Sequence, residues 1–211
     1  MRGRGGILRC LLVGLLLAVE LAGVPVAAAS EWETVANLPS PGRRYLAAVS
    51  DSDGRIYAIG GYAGSNLNTV QRYDPETNTW STVAPLNVAR RSLVAARGGD
   101  GLIYVIGGYA STELDSVEVY DPTENTWTLL TTTMSTARAN AAVATGKDGR
   151  IYVFGGRSAG TPVATAEVFN PVDRTWKSIE PMPRARWGAA AAMAPDGRIY
   201  VIGGADASNK P

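Results

Sequence analysis

The chain has 211 residues, of which 45% are hydrophobic and 18% are charged, so its composition is that of a globular protein and not of a disordered or collagen-like one. It has 20 lysines and arginines against 19 aspartates and glutamates, and no histidine. The near balance of charge argues against a nucleic-acid partner, which needs a clear basic excess or cluster. The missing histidine excludes histidine zinc sites and Ser-His-Asp triads.

Residues 1–29 have the three-part layout of a secretory signal peptide. Three arginines precede an apolar run, and Ala27 and Ala29 stand where a signal peptidase reads small residues. We expect cleavage after Ala29 and a secreted, periplasmic or extracellular protein with no membrane attachment. The alternative is an uncleaved anchor, which Glu20 disfavours because a carboxylate near the middle of a membrane span is costly. Cleavage would also remove Cys10, the only cysteine.

The remainder, residues 30–211, repeats with a period of 47 to 49 residues. Each repeat has a glycine pair after an apolar run such as "DGRIYVI", and the pairs are Gly60-Gly61, Gly107-Gly108, Gly155-Gly156 and Gly203-Gly204. After the first three pairs come an aromatic residue, an Asx-Pro turn and a tryptophan; these aromatic residues are Tyr73 and Trp80, Tyr120 and Trp127, and Phe169 and Trp176. Trp32 precedes Trp80 by one period. Landmarks that stay in phase predict repeated copies of one structural unit.

Within each repeat we predict four β-strands. A short alanine-rich run forms the innermost strand, and an Asp-Gly pair then predicts a tight hairpin. The second strand, for example residues 151–154, is apolar at consecutive positions, which is typical of a strand buried on both faces. A third strand contains Val119 and Tyr120 in the second repeat, and the fourth begins at the tryptophan. The predicted unit is a four-stranded antiparallel meander that packs face to face with its neighbours around an axis.

These landmarks resemble the Kelch repeat, whose units form the blades of a β-propeller. The resemblance covers residues 31–211 and implies an all-β fold, a Kelch β-propeller or partial propeller of about four repeats with the last incomplete. Kelch propellers usually have six or seven blades, whereas the period here gives fewer than four, so we expect a truncated propeller. Assembly of several chains and a small ring with a gap are the alternatives. An open arc would expose an apolar blade face and favour self-association.

An arginine lies seventeen residues before each glycine pair, and the series is Arg43, Arg90, Arg138 and Arg186. The predicted strand order places all four near the mouth of a central channel. The resemblance implies that arginines at such a position help to bind acidic peptides, through bidentate hydrogen bonds to carboxylates. The alternative is that each arginine pairs with a carboxylate of the blades, for instance Glu118 or Glu167, and has a structural role.

The loops after the glycine pairs differ between repeats, as expected of a recognition surface on a rigid scaffold. Tyr62 and Tyr109 begin two of these loops, and we predict that they stack on a sugar or a peptide side chain. Arg157 begins the third loop. Trp187 follows Arg186 where other repeats have arginine or alanine, and it is a further candidate contact. The alternative is that the loops are solvated linkers with the tyrosines lying over the blade edges.

We predict a secreted binding module for a protein or a glycan, with an acidic ligand favoured by the arginines. No catalytic residue, metal or cofactor is predicted, because copper enzymes of the galactose-oxidase type need histidine ligands and a cysteine-tyrosine crosslink, and the mature chain has neither residue. A carbohydrate-active enzyme of the sialic acid epimerase or mutarotase type is an alternative, although no carboxylate recurs in the position of a base. A propeller fragment without independent activity is the third possibility.

Overall fold

The computed structural model describes residues 33–208 and 210, which contain sixteen β-strands. All sixteen lie within the unit formed by residues 36–211. No helix among the described residues has the length and apolarity that a membrane crossing needs. The predicted signal peptide, residues 1–29, and Trp32 lie outside the described residues, so the signal peptide stays a prediction.

The strands form three complete antiparallel blades and one two-stranded half-blade. Blade A contains Ala47–Ser50 (β1), Ile56–Ile59 (β2), Val70–Asp74 (β3) and Thr79–Val83 (β4). Blade B contains Val94–Arg97 (β5), Ile103–Ile106 (β6), Val117–Asp121 (β7) and Thr126–Leu129 (β8). Blade C contains Ala142–Thr145 (β9), Ile151–Phe154 (β10), Ala166–Asn170 (β13) and Thr175–Ile179 (β14), with Arg157–Ser158 (β11) and Thr161–Pro162 (β12) as a small hairpin in its loop. Half-blade D contains Trp187–Met193 (β15) and Ile199–Ala205 (β16). The predicted fold of four-stranded blades with an incomplete last repeat is confirmed.

The second strand of blade B is buried along its whole length, whereas in β10, where burial on both faces was predicted, Tyr152 and Phe154 are only partly buried. Strand β6 pairs with β5 on one side and β7 on the other, and neighbouring blades cover both of its faces. Aromatic rings of the third strands fill the space between blades. The Tyr120 ring of blade B lies 5.6 Å from the Tyr57 ring of blade A, and the Phe169 ring of blade C lies 5.3 Å from the Tyr104 ring of blade B. The core therefore consists of layers between blades.

The Asp-Gly turns are not two-residue turns in which both residues have positive φ. In the Asp-Gly turn of blade B only Gly101 has a positive φ, which is 86°. The Asp100 carboxylate instead accepts hydrogen bonds from the Leu102 backbone N–H at 3.2 Å and from the Tyr104 hydroxyl at 2.6 Å. An aspartate side chain that bonds to backbone ahead of it closes a wider turn in this way.

The "DPTENTW" turn of blade B fixes the outer strand to the chain that enters the blade. Asn125 has φ 52°, a conformation that asparagine tolerates, and its Oδ1 accepts hydrogen bonds from the Tyr120 hydroxyl and the Ala84 backbone N–H. The Trp127 indole N–H donates to the Ala84 carbonyl at 2.9 Å. In blade C, Phe169 and Arg174 replace the tyrosine and the asparagine together, so both members of that hydrogen bond are absent.

Three arginines of the repeat series, Arg90, Arg138 and Arg186, each join two blades, and Arg90 shows the pattern. Its backbone N–H donates to the Leu67 carbonyl, and its carbonyl accepts from the Gly61 N–H; both partners belong to blade A. Its side-chain Nη1 donates to the Gly107 carbonyl at 3.0 Å, and its Nη2 lies 2.8 Å from Glu118 Oε1, within blade B. We call this arrangement the arginine junction. It recurs with the same backbone partners around Arg138 and Arg186.

The first glycine of a pair has to approach the next junction closely. A Cβ on Gly107 would lie 2.5 Å from the Arg138 carbonyl oxygen, and the residue has φ 61°. Gly203, at the same repeat position in half-blade D, has φ 71° but nothing within 4 Å of its Cβ position.

We therefore expect Gly203→Ala to lower the free energy of unfolding by about 1–2 kcal/mol, the cost of a left-handed backbone. Gly107→Ala should cost roughly 1–3 kcal/mol more, because the blades must also move apart. Urea unfolding followed by tryptophan fluorescence measures both. Equal losses for the two variants would show that the blades do not approach as described.

The buried carboxylate of the junction gives a second prediction. Glu118→Ala leaves the buried Arg90 guanidinium unpaired, so we expect a loss of about 3–5 kcal/mol in the free energy of unfolding. Glu124→Ala changes an exposed glutamate of the same blade and should stay within about 0.5 kcal/mol of the parent chain. A Glu118→Ala variant as stable as the Glu124→Ala control would contradict the structural role of the pair.

Candidate functional site

Of the four arginines predicted to line the channel mouth, Arg90, Arg138 and Arg186 are junction residues, and Arg43 makes the side-chain contacts of a junction within its own blade. Arg90 and Arg138 are 0% and 1% exposed, and the Arg138 Nη2 lies 2.5 Å from Glu167 Oε1. A guanidinium buried in this way has no surface for a ligand, so for Arg90 and Arg138 the ligand-binding prediction is corrected and the structural alternative describes them. Arg43 and Arg186 are half-buried in the same arrangement, and each donates through Nη1 to the carbonyl of its own first glycine.

The partners of these arginines explain their burial. Burial lowers the pKa of the Arg90 guanidinium, while Glu118 acts in the opposite direction. Glu118 also accepts hydrogen bonds from the backbone N–H groups of Asn87 and Val88. In blade A the corresponding acceptor is the Gln71 amide, which bonds to Arg43. A fully hydrogen-bonded ion pair is the form in which charges tolerate a protein interior.

The residue after each arginine of the repeat series lies at one end of the blades, and all of these residues but the buried Ala139 are at least partly exposed. These residues are Arg44, Arg91, Ala139 and Trp187, and they pair with the first residue of the adjoining loop, which is Tyr62, Tyr109, Arg157 or Ala205 respectively. The structure therefore brings the predicted Tyr62, Tyr109, Arg157 and Trp187 to one end of the propeller, where the innermost strands begin. We call this end the mouth.

Guanidinium groups and aromatic rings alternate across the mouth. The Arg91 Cζ lies 5.0 Å from the centre of the Tyr62 ring and 4.6 Å from that of Tyr109. The Arg44 Cζ lies 5.5 Å from the Tyr62 centre and 5.3 Å from that of Tyr45. A cation within about 6 Å of a ring centre is attracted to the ring face. The side chains therefore hold one another in place without ion pairs.

A third cation completes the series on the blade C side. The Arg157 Cζ lies 5.0 Å from the centre of the Trp187 ring. Its Nε and Nη2 donate to the Gly160 carbonyl at 3.2 and 2.7 Å, and the Gly160 N–H donates to Glu113. Glu113 thus orients the loop that holds Arg157.

The innermost turn of each blade is in a left-handed conformation. Tyr45, Ser92, Asn140 and Gly188 have φ between 53° and 66°. Their backbones form a chain of hydrogen bonds from blade to blade, each 2.8 Å long, from Ser92 N–H to Tyr45 O, from Asn140 N–H to Ser92 O and from Gly188 N–H to Asn140 O. A tyrosine in this conformation is costly, and Tyr45 is nonetheless 54% exposed. Its ring lies at the mouth, beside Arg44.

These residues enclose a depression of about 440 Å³. It is lined by Arg44, Tyr45, Tyr62, Arg91, Ser92, Asn140, Arg157 and Trp187. No carboxylate lines it, and among the described residues none lies within 4.0 Å of the three guanidinium groups. Three cations without an anionic partner produce a local excess of positive charge. An acidic group is the ligand that such a site attracts.

Sequence reasoning missed Arg44, Arg91 and Tyr45 as site residues. In the sequence, Arg44 and Arg91 are notable only because Trp187 replaces them at the same repeat position. The signal that could have found them is variation: the junction arginine is constant in all four repeats, whereas the next residue is Arg, Arg, Ala or Trp. A constant position in a repeat supports the scaffold, and its variable neighbour is free to serve recognition.

The described residues show no arrangement for metal binding. No group of three or more His, Cys, Asp or Glu side chains is placed to hold an ion in the part of the chain that the structure describes. For the epimerase alternative, the depression likewise offers no carboxylate as a base.

Comparisons with known proteins agree with this architecture. The sequence profile described as Attractin/LZTR1 beta-propeller matches residues 26–210. Kelch-like protein 4 of Homo sapiens is 42% identical over 60 residues, which are 28% of this chain and 8% of that protein. Kelch repeat and BTB domain-containing protein 13 of Homo sapiens is 48% identical over 50 residues, which are 23% of this chain and 11% of that protein. The matches thus span about a tenth of the length of these relatives.

A solved structure titled "Structure of YjhT" has the same fold. It superposes with a TM-score of 0.73 and 18% identity, over 83% of this chain and 63% of that chain. The family match and the superposition agree on a Kelch-type β-propeller. The chain belongs to the Attractin/LZTR1 β-propeller family of Kelch-type propellers.

Proposed function

We propose that the mouth binds a protein ligand through acidic side chains of that ligand. The observation that supports this is the set of three guanidinium groups, from Arg44, Arg91 and Arg157, that surrounds the depression without any carboxylate in its lining. Each guanidinium has several donors in a planar fork, which matches a carboxylate in geometry and charge. An acidic side chain entering the depression would complete pairs that the described residues leave open.

The cations that lie beside the aromatic rings favour a peptide carboxylate over a sugar as the ligand. A sugar that stacks needs an open ring face, but Arg44 and Arg91 both lie near the Tyr62 ring, and Arg91 also lies near that of Tyr109. The rings thus hold the guanidinium groups in place, and Arg44 and Arg91 line the depression. Preorganised side chains lose less conformational entropy when they bind.

We also propose that this recognition takes place outside the cytoplasm. The proposal rests on residues 1–29, whose charged start, apolar centre and small residues before position 30 are typical of an export signal.

The test uses an array of 12-residue peptides in matched pairs, with glutamate in one member and glutamine in the other. We expect binding to the acidic members only, and we expect it to weaken as salt rises because the attraction is electrostatic. Arg91→Ala should weaken binding about tenfold or more, and Arg91→Lys should recover only part of it because an ammonium lacks the planar fork. Fluorescence anisotropy with the strongest peptide gives the dissociation constants.

Arg150→Ala is the matched control, because Arg150 is a half-exposed arginine paired with Asp148 at a hairpin turn and is absent from the lining of the depression. It should leave binding unchanged. Equal binding of glutamate and glutamine peptides, or a loss with Arg150→Ala as large as with Arg91→Ala, would overturn the proposal. Binding of sialylated glycans without peptide binding would favour the glycan alternative. Interconversion of N-acetylneuraminic acid anomers above background, followed by proton NMR, would favour the enzyme.

A further inference from the structure

Asn66 lies in the loop that begins at Tyr62 and makes two hydrogen bonds to blade B. Its Oδ1 accepts a hydrogen bond from Arg91 Nη1 at 3.0 Å, and its Nδ2 donates to the Ala110 carbonyl at 2.7 Å. Its backbone forms a β-bridge with Tyr62, whose ring centre lies 5.0 Å from the Arg91 Cζ. One side chain therefore holds both the guanidinium of Arg91 and the loop of the next blade.

An amide is the side chain that satisfies both of these partners. The Arg91 Nη1 needs an acceptor and the Ala110 carbonyl needs a donor, and an asparagine side chain supplies both without a net charge. A carboxylate has acceptors only, so it would have no proton for the Ala110 carbonyl and would form an ion pair with Arg91. No carboxylate of the described residues lies within 4.0 Å of Arg91. Asn66 thus orients Arg91 and leaves its charge unbalanced.

The bond to Asn66 leaves one edge of the Arg91 guanidinium open. Among the described residues, Arg91 makes no side-chain hydrogen bond except through Nη1. Its Nε and Nη2 remain, and this pair of donors matches the two oxygens of a carboxylate. Arg157 is different, because its Nε and Nη2 both donate to the Gly160 carbonyl. Of these two arginines, Arg91 is therefore the one that can hold a carboxylate through two parallel hydrogen bonds on this edge.

The corresponding position in the next loop has a carboxylate, Glu113, but no arginine to pair with it. Asn66 and Glu113 each come five residues after the second glycine of a pair. In blade C the residue at the position of Arg91 is Ala139. Glu113 accepts a hydrogen bond from the Gly160 N–H at 3.2 Å instead. The neutral amide therefore accompanies the arginine and the carboxylate accompanies the alanine, an arrangement that preserves the positive charge of Arg91.

We propose that Asn66 is a positioning and specificity-determining residue of the mouth, which holds Arg91 without neutralising it so that the Nε–Nη2 edge binds a carboxylate of the ligand. The inference rests on the proposed function, because it names the group that receives the acidic side chain. An Asn66 with a purely structural role would only tie two loops together, and the charge of the side chain at this position would then have no effect on binding.

The binding test compares Asn66→Asp with Asn66→Ser, using the fluorescein-labelled glutamate 12-mer that binds most strongly in the array. Asn66→Asp should weaken binding about tenfold or more, because the new carboxylate pairs with Arg91 and competes with the ligand. Asn66→Ser loses the bonds but adds no charge, so it should weaken binding about threefold. Asn37→Asp adds the same charge at an exposed asparagine outside the depression and should change the dissociation constant by less than about twofold.

A titration without ligand tests the same pairing independently. Carbon-13 NMR follows the introduced carboxyl in Asn66→Asp and in the double variant Asn66→Asp with Arg91→Met. The pKa of this carboxyl should be lower by about one unit or more when Arg91 is present, because a neighbouring cation favours the charged form. Circular dichroism verifies that each variant is folded.

Two results would overturn the inference. One is an equal pKa of the introduced carboxyl with and without Arg91, and the other is a loss of peptide binding in Asn66→Ser as large as in Asn66→Asp. If the parent chain binds no glutamate peptide, the proposed function is wrong, and the pKa comparison alone then decides whether Asn66 is the neutral partner of Arg91.

Discussion

The arginine junction is the interaction on which the rest of the structure depends. An arginine lies seventeen positions before each glycine pair, and in Arg90, Arg138 and Arg186 it joins its own blade through the side chain and the preceding blade through the backbone. The glycine pair is the counterpart of this arginine, because a side chain on the first glycine would occupy the place of the next junction's carbonyl oxygen in the complete interfaces. Burying a guanidinium is costly, and the third-strand glutamate with its own hydrogen bonds offsets that cost.

The junction also determines the position of the proposed recognition surface. Because it fixes the arginine, it fixes the position of the following residue at the mouth, whatever its type. Arg44, Arg91, Ala139 and Trp187 are therefore alternative side chains at one structurally constant position. The loops that pair with the first three positions supply an aromatic ring or a further cation. The proposed binding site can thus change by single substitutions while the inter-blade contacts stay intact.

Sequence reasoning predicted the fold closely, because the repeated residues are the ones that make contacts within and between blades. Glycine pairs, Asx-Pro turns and tryptophans recur at a fixed period because each blade has the same structural surroundings. It placed the arginines at the correct end of the blades but could not tell Arg90 from Arg91. Those two residues differ in burial, which depends on whether a carboxylate from a strand nearly thirty residues later reaches the guanidinium. Composition does not encode that distance. The stacking of Arg91 between Tyr62 and Tyr109 likewise joins two blades, and no local pattern predicts it.

Arg90 stabilises the contact between blades, whereas the neighbouring Arg91 lies at the mouth. The free energies of unfolding of Arg90→Met and Arg91→Met test this difference most directly. Both variants replace an arginine by an unbranched apolar side chain at neighbouring positions. Arg90→Met should lose about 3–5 kcal/mol, because Glu118 stays buried without its partner. Arg91→Met should change by about 0.5 kcal/mol or less, because its side chain lies at the surface of the mouth. Equal losses, or a larger loss for Arg91→Met, would contradict the account.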